Sequence, residues 1–227
     1  LNLGARAGSE DFMMQLRTLA RSALFAAAAL FLMPVLPAQA AVTLTEGVNY
    51  KTLEPAVPTS TAPGKVEVVE VFWYHCGHCY ALEPKIVAWA RSKPGYVELV
   101  RQPATWNDML KTHARIFYTA ELLGKLPQLH EDIFREMNVR GATLDNASSI
   151  EAYFASRGVP KADFQKAFAS FAVESKLRRA DDLNRRYRIT GTPTFIVAGK
   201  YTTDVGMAGS EDKLFEVINA LAAREKH

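Results

Sequence analysis

Cysteine is scarce in this chain: two occur in 227 residues, Cys76 and Cys79, with two residues between them. That excludes a fold stapled by several disulfides. A bridge between the two closes almost no loop in the unfolded chain, so stability alone is a poor reason for the pair. Charge of one sign is nowhere concentrated. Lys and Arg number 27 against 24 Asp and Glu, a net +3, and the two signs are interspersed. The electrostatic footprint of a nucleic-acid-binding protein is therefore missing. Apolar runs of the roughly 20 residues needed to span a bilayer are absent, and so are repeats. What is present is an ordinary hydrophobic content, 48%, enough for one domain with an insertion or for two small ones.

The first forty residues read differently from the rest. Arg17 and Arg21 precede an apolar run over 23–33, and Pro34, Pro37 and then Ala38-Gln39-Ala40 follow it. That basic, apolar, small-residue order is expected to be a secretory signal peptide, residues 1–40, cleaved after Ala40. The competing reading is a retained membrane anchor, against which stand the shortness of the run and its two prolines. Met13 and Met14 lie just before the basic positions, so residues 1–12 are expected to be an upstream extension. Cleavage removes Arg6, Arg17 and Arg21 against Glu10 and Asp11, which leaves a mature net charge of +2. An exported chain works where disulfides persist, and this makes the lone Cys pair informative.

Along the mature chain, residues 49–53 read as an edge strand and 55–64, rich in Pro, Thr, Ser and Ala, as a loop. Residues 66–74, Val-Glu-Val-Val-Glu-Val-Phe-Trp-Tyr, are β-prone enough to be a central strand covered on both faces. The cysteines come directly after it. From Cys79 the spacing turns helical, through Leu82, Ile86, Val87, Trp89 and Ala90, until Lys93-Pro94-Gly95. Residues 97–100 look like the next strand, so the start is a βαβ unit with a parallel pair. From 109 to 171 only helical periodicity is found, and 173–187 reads as one longer charged helix. Residues 194–197 and 201–203 form a hairpin around Ala198-Gly199. The closing helix has Ser210 as its N-cap, Glu211 and Asp212 in its first turn and Leu214, Phe215, Ile218 and Leu221 on its buried face.

A Cys-x-x-Cys at a strand-to-helix junction has a physical reason for its spacing. The first sulfur meets unpaired N–H groups and the positive end of the helix dipole, which favour a thiolate, and the second lies one turn on, close enough to form a disulfide with it. Cys76 is then the exposed nucleophile and Cys79 the buried resolving thiol. His78 between them adds positive charge beside the thiolate and makes the disulfide more oxidising. A metal site built from Cys76, Cys79, His75 and His78 is the competing reading, but four neighbours at one helix start surround an ion poorly and no distant ligand pair completes the set. Haem attachment requires His after the second cysteine, where Tyr80 stands. Neither metal nor cofactor is expected.

Phe72-Trp73-Tyr74-His75-Cys76-Gly77-His78-Cys79-Tyr80, followed far downstream by Thr190-Gly191-Thr192-Pro193-Thr194-Phe195, resembles the thioredoxin superfamily. With the helical insertion and the signal peptide, the resemblance narrows to its periplasmic disulfide oxidants, the DsbA family. It covers essentially the whole mature chain. It implies that Pro193 is a cis-proline facing the cysteines and that Thr192 offers backbone groups to an extended substrate peptide. It also implies a buried acid at Glu70, six residues before Cys76, placed to pass a proton to or from Cys79. Glu67 and Glu70 fall on opposite strand faces, so solvent exposure accounts for at most one of them. The central dipeptide Gly77-His78 departs from the Pro-His of the best-known oxidant and matches that of disulfide isomerase domains, which leaves the potential between about −120 and −180 mV.

The expected architecture is an α/β thioredoxin-like domain, residues 41–107 and 172–227, carrying an inserted helical domain, 108–171. Phe72 is expected in the core, with Tyr74, His75 and Tyr80 flanking the cysteines at the surface; Tyr74 and His75 are also candidate substrate contacts. His113 and His130 are expected to be surface or capping residues. The resemblance implies a monomeric periplasmic enzyme that gives its disulfide to thiols of exported proteins still folding. Its reoxidation is implied to come from a DsbB-like membrane protein that reduces quinone. The rival readings are a reductase or isomerase on the same fold and a client-binding chaperone. An isomerase of this kind usually carries an N-terminal dimerisation domain, for which the stretch before Val66 has no room.

Overall fold

The structure, a computed structural model, describes residues 42–226, so the expected signal peptide and its upstream extension lie outside the described residues. At its centre is β2, Val66–Phe72, whose seven residues are all buried. Its β-branched, two-sided apolar sequence suits a strand covered by helices on both faces. β2 runs parallel to β3, Val97–Pro103, in a register that carries Val66 beside Val97 and Glu70 beside Arg101. On its other side it pairs antiparallel with β4, Thr194–Val197, which pairs with β5, Tyr201–Thr203; the short edge strand β1, Lys51–Thr52, completes the order β1-β5-β4-β2-β3.

The hairpin between β4 and β5 turns through Ala198 and Gly199, both with positive φ, 53° and 65°. Such pairs match the twist of two-residue hairpins. Gly199 is required for a second reason: a Cβ there would lie 1.9 Å from the carbonyl oxygen of Val57.

The first helix, α1, Gly77–Ser92, links β2 to β3. Five helices follow β3: α2, Asp108–Leu122; α3, Leu126–Asn138; α4, Ala147–Ser156; α5, Lys161–Phe168; and α6, Phe171–Arg186. A short α7, Val205–Ala208, and the closing α8, Glu211–Arg224, end the chain. Nothing in the sequence pattern marks α7 beyond Asp204, whose side chain caps it by accepting from Met207 N–H at 2.8 Å. Ser210 caps α8 as expected, accepting from Lys213 N–H at 3.2 Å.

Leu82, Ile86 and Trp89 of α1 and Leu214, Ile218 and Leu221 of α8 pack together on one sheet face with Val68 and Phe195. Val69 and Val71 point the other way, toward Leu110 and Tyr187. A third core fills the helical layer around Phe117, Ile133, Phe134 and Phe154. It reaches Phe72, Tyr74 and Cys79, so the helical segment packs directly behind the end of β2. Among the described residues, no helix is long and apolar enough to cross a membrane.

Candidate active site

Cys76 is the N-cap of α1. Its backbone is extended, φ −89° and ψ 113°, and its sulfur accepts the Cys79 N–H at 3.4 Å. The geometry follows from the local sequence: β2 ends at Phe72, the Cys76 N–H closes a turn onto the Trp73 carbonyl at 3.0 Å, and the helix begins at Gly77. The sulfur therefore occupies the place where a cap oxygen normally satisfies the free N–H groups of a first turn. A hydrogen bond from the Cys79 thiol, with others from the backbone N–H groups of Cys79 and His78, pulls the Cys76 thiol down to about 5 against an opposing effect of burial. Cys79 is fully buried, and burial, reinforced by the neighbouring Cys76 sulfur, pushes its thiol far up. Both cysteines are free thiols. One is thus a half-buried, low-pKa nucleophile and the other an inert, protonated partner one turn away.

The Thr192–Pro193 peptide is cis, and the Thr192 carbonyl lies 3.4 Å from the Cys76 sulfur. This brings two segments 116 residues apart in sequence onto one sulfur. Beside them opens a recess of about 430 Å³ lined by His78, Leu82, Gly191, Thr192, Pro193 and Val205, among others. His78 and His75 are both exposed. His75 stands against Trp73, with ring centroids 5.6 Å apart.

Tyr74 departs from expectation. It was expected to flank the cysteines at the surface and to meet substrate, yet it is 1% exposed. Its ring packs between Phe72 and Phe134, with centroids 5.1 and 5.0 Å away, and its hydroxyl bonds His130 Nδ1 at 2.9 Å. The cause is the helical layer, whose aromatic core extends past the last residue of β2. Tyr80 keeps a half-buried position beside the pair. The two histidines expected at the surface are also inside. His113, 1% exposed, accepts from Trp73 Nε1 at 2.7 Å and meets the Thr143 carbonyl at 2.9 Å. His130 is 8% exposed.

Beneath these residues lies a buried charge cluster. Glu70 is fully buried, and that burial pushes its carboxyl up to about 7 despite the opposing pull of Arg101. Arg101, its register partner on β3, sits 3.2 Å away but directs its fork at Glu83 of α1, with two contacts of 2.7 Å. Glu67 is buried too, on the other sheet face, where it accepts from the Ser60 N–H and hydroxyl at 2.8 and 2.6 Å. Solvent exposure thus explains neither strand glutamate. Sequence reasoning named Glu70 but missed Arg101, Glu83 and His130. The parallel register of 66–72 with 97–103 carried a signal for Arg101; nothing local marked His130.

A family model described as a DSBA-like thioredoxin domain matches residues 97–219 of this chain. The thiol:disulfide interchange protein DsbA of Pseudomonas syringae pv. tomato is 39% identical over 211 residues, covering 93% of this chain and 97% of that protein. The protein of the same name from Azotobacter vinelandii is 38% identical over 180 residues, 79% and 84% of the two chains. Among solved structures, Pseudomonas aeruginosa DsbA superimposes with a TM-score of 0.76 at 36% identity, covering 80% of this chain and 94% of that one. DsbA of Xylella fastidiosa gives 0.74 at 25% identity, covering 80% and 97%.

Proposed function

Given that the chain belongs to the DSBA-like thioredoxin family and is a protein-disulfide oxidoreductase, we propose that it gives its Cys76–Cys79 disulfide to thiols of exported proteins in the periplasm. The observation that carries this reading is the asymmetry of the pair: a capped, half-buried Cys76 with its thiol near 5 and a buried Cys79 whose thiol is held far up.

In the forward reaction a client thiolate attacks the Cys76 sulfur of the disulfide. The S–S bond breaks, Cys79 takes the electron pair and a proton, and a mixed disulfide joins client and Cys76. A second client thiolate then attacks the client sulfur of that bond and expels Cys76 as a thiolate. Two electrons have passed from client to enzyme, which is left as the dithiol. Low leaving-group pKa speeds the last step, and so favours Cys76 as the sulfur released. The recess beside Thr192 and Pro193 suits an extended client segment, with the Thr192 backbone offering strand-like hydrogen bonds and exposed His75, next to Cys76 in the chain, a further client contact. His78, in the first turn of α1, adds favourable charge to the thiolate whenever it is protonated.

Glu70 is the proton carrier for Cys79 in this reading, because an acid near 7 both gains and loses a proton at neutral pH. Replacing it with glutamine is expected to flatten the pH dependence of exchange between about 6 and 8; kinetics unchanged across that range remove the role. The signal peptide expected at residues 1–40 supports export, and a quinone-reducing membrane protein of the DsbB kind is the expected oxidant of the spent dithiol.

A further inference from the structure

His130 belongs to α3, in the helical layer, yet its imidazole reaches the charge cluster under the redox pair. Arg101 can only donate, so the His130 Nε2 that meets its Nη1 must be an acceptor. The proton of the neutral imidazole is then on Nδ1, which donates to the Tyr74 hydroxyl at 2.9 Å. Burial and the adjoining Arg101 hold His130 well below its usual range, and the bond it accepts from Arg101 needs the neutral ring.

The consequence concerns Glu70. Arg101 Nη1 carries two hydrogens. One goes to Glu83 Oε2 at 2.7 Å and the other to His130 Nε2, while Glu70 Oε2 stands only 3.2 Å from the same nitrogen. Neither oxygen of Glu70 receives a hydrogen bond, although both are buried. Glu70 thus has a cation for a neighbour and no N–H from it. The other groups facing it do not supply one: Glu83 from α1 is turned to the Arg101 fork, the Tyr74 hydroxyl makes no bond to either Glu70 oxygen, and β4 presents Phe195 in register.

We propose that His130 is a positioning residue for the exchange reaction, holding the free N–H of Arg101 away from Glu70 so that the buried acid stays able to carry a proton. The idea rests on the reading of Glu70 given above as the proton carrier. A carboxylate that gains a charged hydrogen bond is favoured in its ionised form, so an Arg101 released from His130 would lock Glu70 as a carboxylate. The carboxyl now near 7 would then titrate lower and lose its protonated state at neutral pH.

The test is a carbon NMR titration of the Glu70 carboxyl in the reduced protein, assigned with Glu70→Gln. In His130→Phe the midpoint is expected to fall by about one unit, a tenfold loss of proton affinity. In His130→Gln, whose side-chain oxygen reaches about as far as Nε2, it is expected to return toward the wild-type value. An unmoved midpoint in His130→Phe overturns the proposal. Should that variant fail to fold, nitrogen NMR of the wild-type ring decides: protonation on Nδ1 upholds the arrangement and protonation on Nε2 overturns it. The pH profile of thiol exchange separates the two ideas. A lowered midpoint with an unshifted profile upholds the placement of His130 and removes Glu70 as proton carrier; a lowered midpoint with a profile shifted alike upholds both.

Discussion

Cys76→Ala is expected to reduce disulfide transfer to a reduced, unfolded client protein to background, whereas Cys79→Ala, mixed with a client that carries a disulfide, is expected to accumulate a covalent enzyme–client adduct. The difference follows from the positions of the two sulfurs. Cys76 is the N-cap of α1, partly exposed and in contact with the Thr192 carbonyl, so a client sulfur can reach it; Cys79 is wholly buried. Without Cys76 the remaining sulfur is both unreachable and protonated. Without Cys79, Cys76 still attacks a client disulfide as a thiolate, but the sulfur that would release the adduct from within is gone. Non-reducing electrophoresis of acid-quenched mixtures reads both outcomes. Wild-type protein in its disulfide form should oxidise the client one for one. Transfer retained in Cys76→Ala, or an adduct on Cys79 in that variant, would overturn the assignment and bring back the client-binding chaperone reading.

The second large effect is a pH-dependent difference in stability between the dithiol and disulfide forms. In the folded dithiol the Cys76 thiol lies near 5, against 9.0 for an ordinary thiol. A depressed pKa contributes stability that is complete above the unfolded value and is lost as pH falls through the folded one. The window is therefore pH 9 down to 5. At pH 7 the contribution is about 2 kcal/mol, set below the full linkage value because the sulfur is half exposed to solvent screening. The disulfide form has no such thiolate. Guanidinium unfolding of both forms should thus show the dithiol gaining about 2 kcal/mol relative to the disulfide between pH 4 and pH 7. Groups such as Glu70 are present in both forms and largely cancel in the comparison. A gap that stays constant over that range contradicts a stabilised Cys76 thiolate.

Much of the fold was legible because local signals and tertiary demands agree in it. The strand over 66–72, read two residues too long from sequence, is β-branched where it must be covered on both faces, Ser210 caps where the last helix starts, and Ala198-Gly199 turns where only a residue without Cβ fits under Val57. The Cys pair was legible for the same reason, since strand end, cap and thiol fall in one stretch of sequence. Tyr74 and the two histidines were not. Alternation along a strand says which way a side chain leaves the sheet, but what it meets depends on the layer beyond. Here the aromatic core around Phe134 turns the outer edge of β2 into an interior. His130 reaches Arg101 across 29 residues and two elements, a pairing no local pattern encodes. Glu83 was hidden differently, among the polar residues of a helix whose apolar stripe alone was conspicuous.

The opposing charges also show why the buried cluster has an unusual balance. Two glutamates share one arginine, Glu83 holds its fork, and Glu70 is left with the guanidinium beside it and no hydrogen bond. An unpaired buried carboxylate is costly, and taking up a proton relieves that cost. The same arrangement that disfavours a charged Glu70 supplies a proton carrier beneath a reaction that moves protons on and off sulfur.

The equilibrium of the Cys76/Cys79 pair with glutathione at pH 7 tests the central claim most directly. A capped, stabilised Cys76 thiolate favours the dithiol, so the expected potential lies between about −120 and −180 mV, the values of DsbA and of protein disulfide isomerase. A potential near that of thioredoxin, about −270 mV, would mean that the disulfide is the favoured form and that the chain is a reductant.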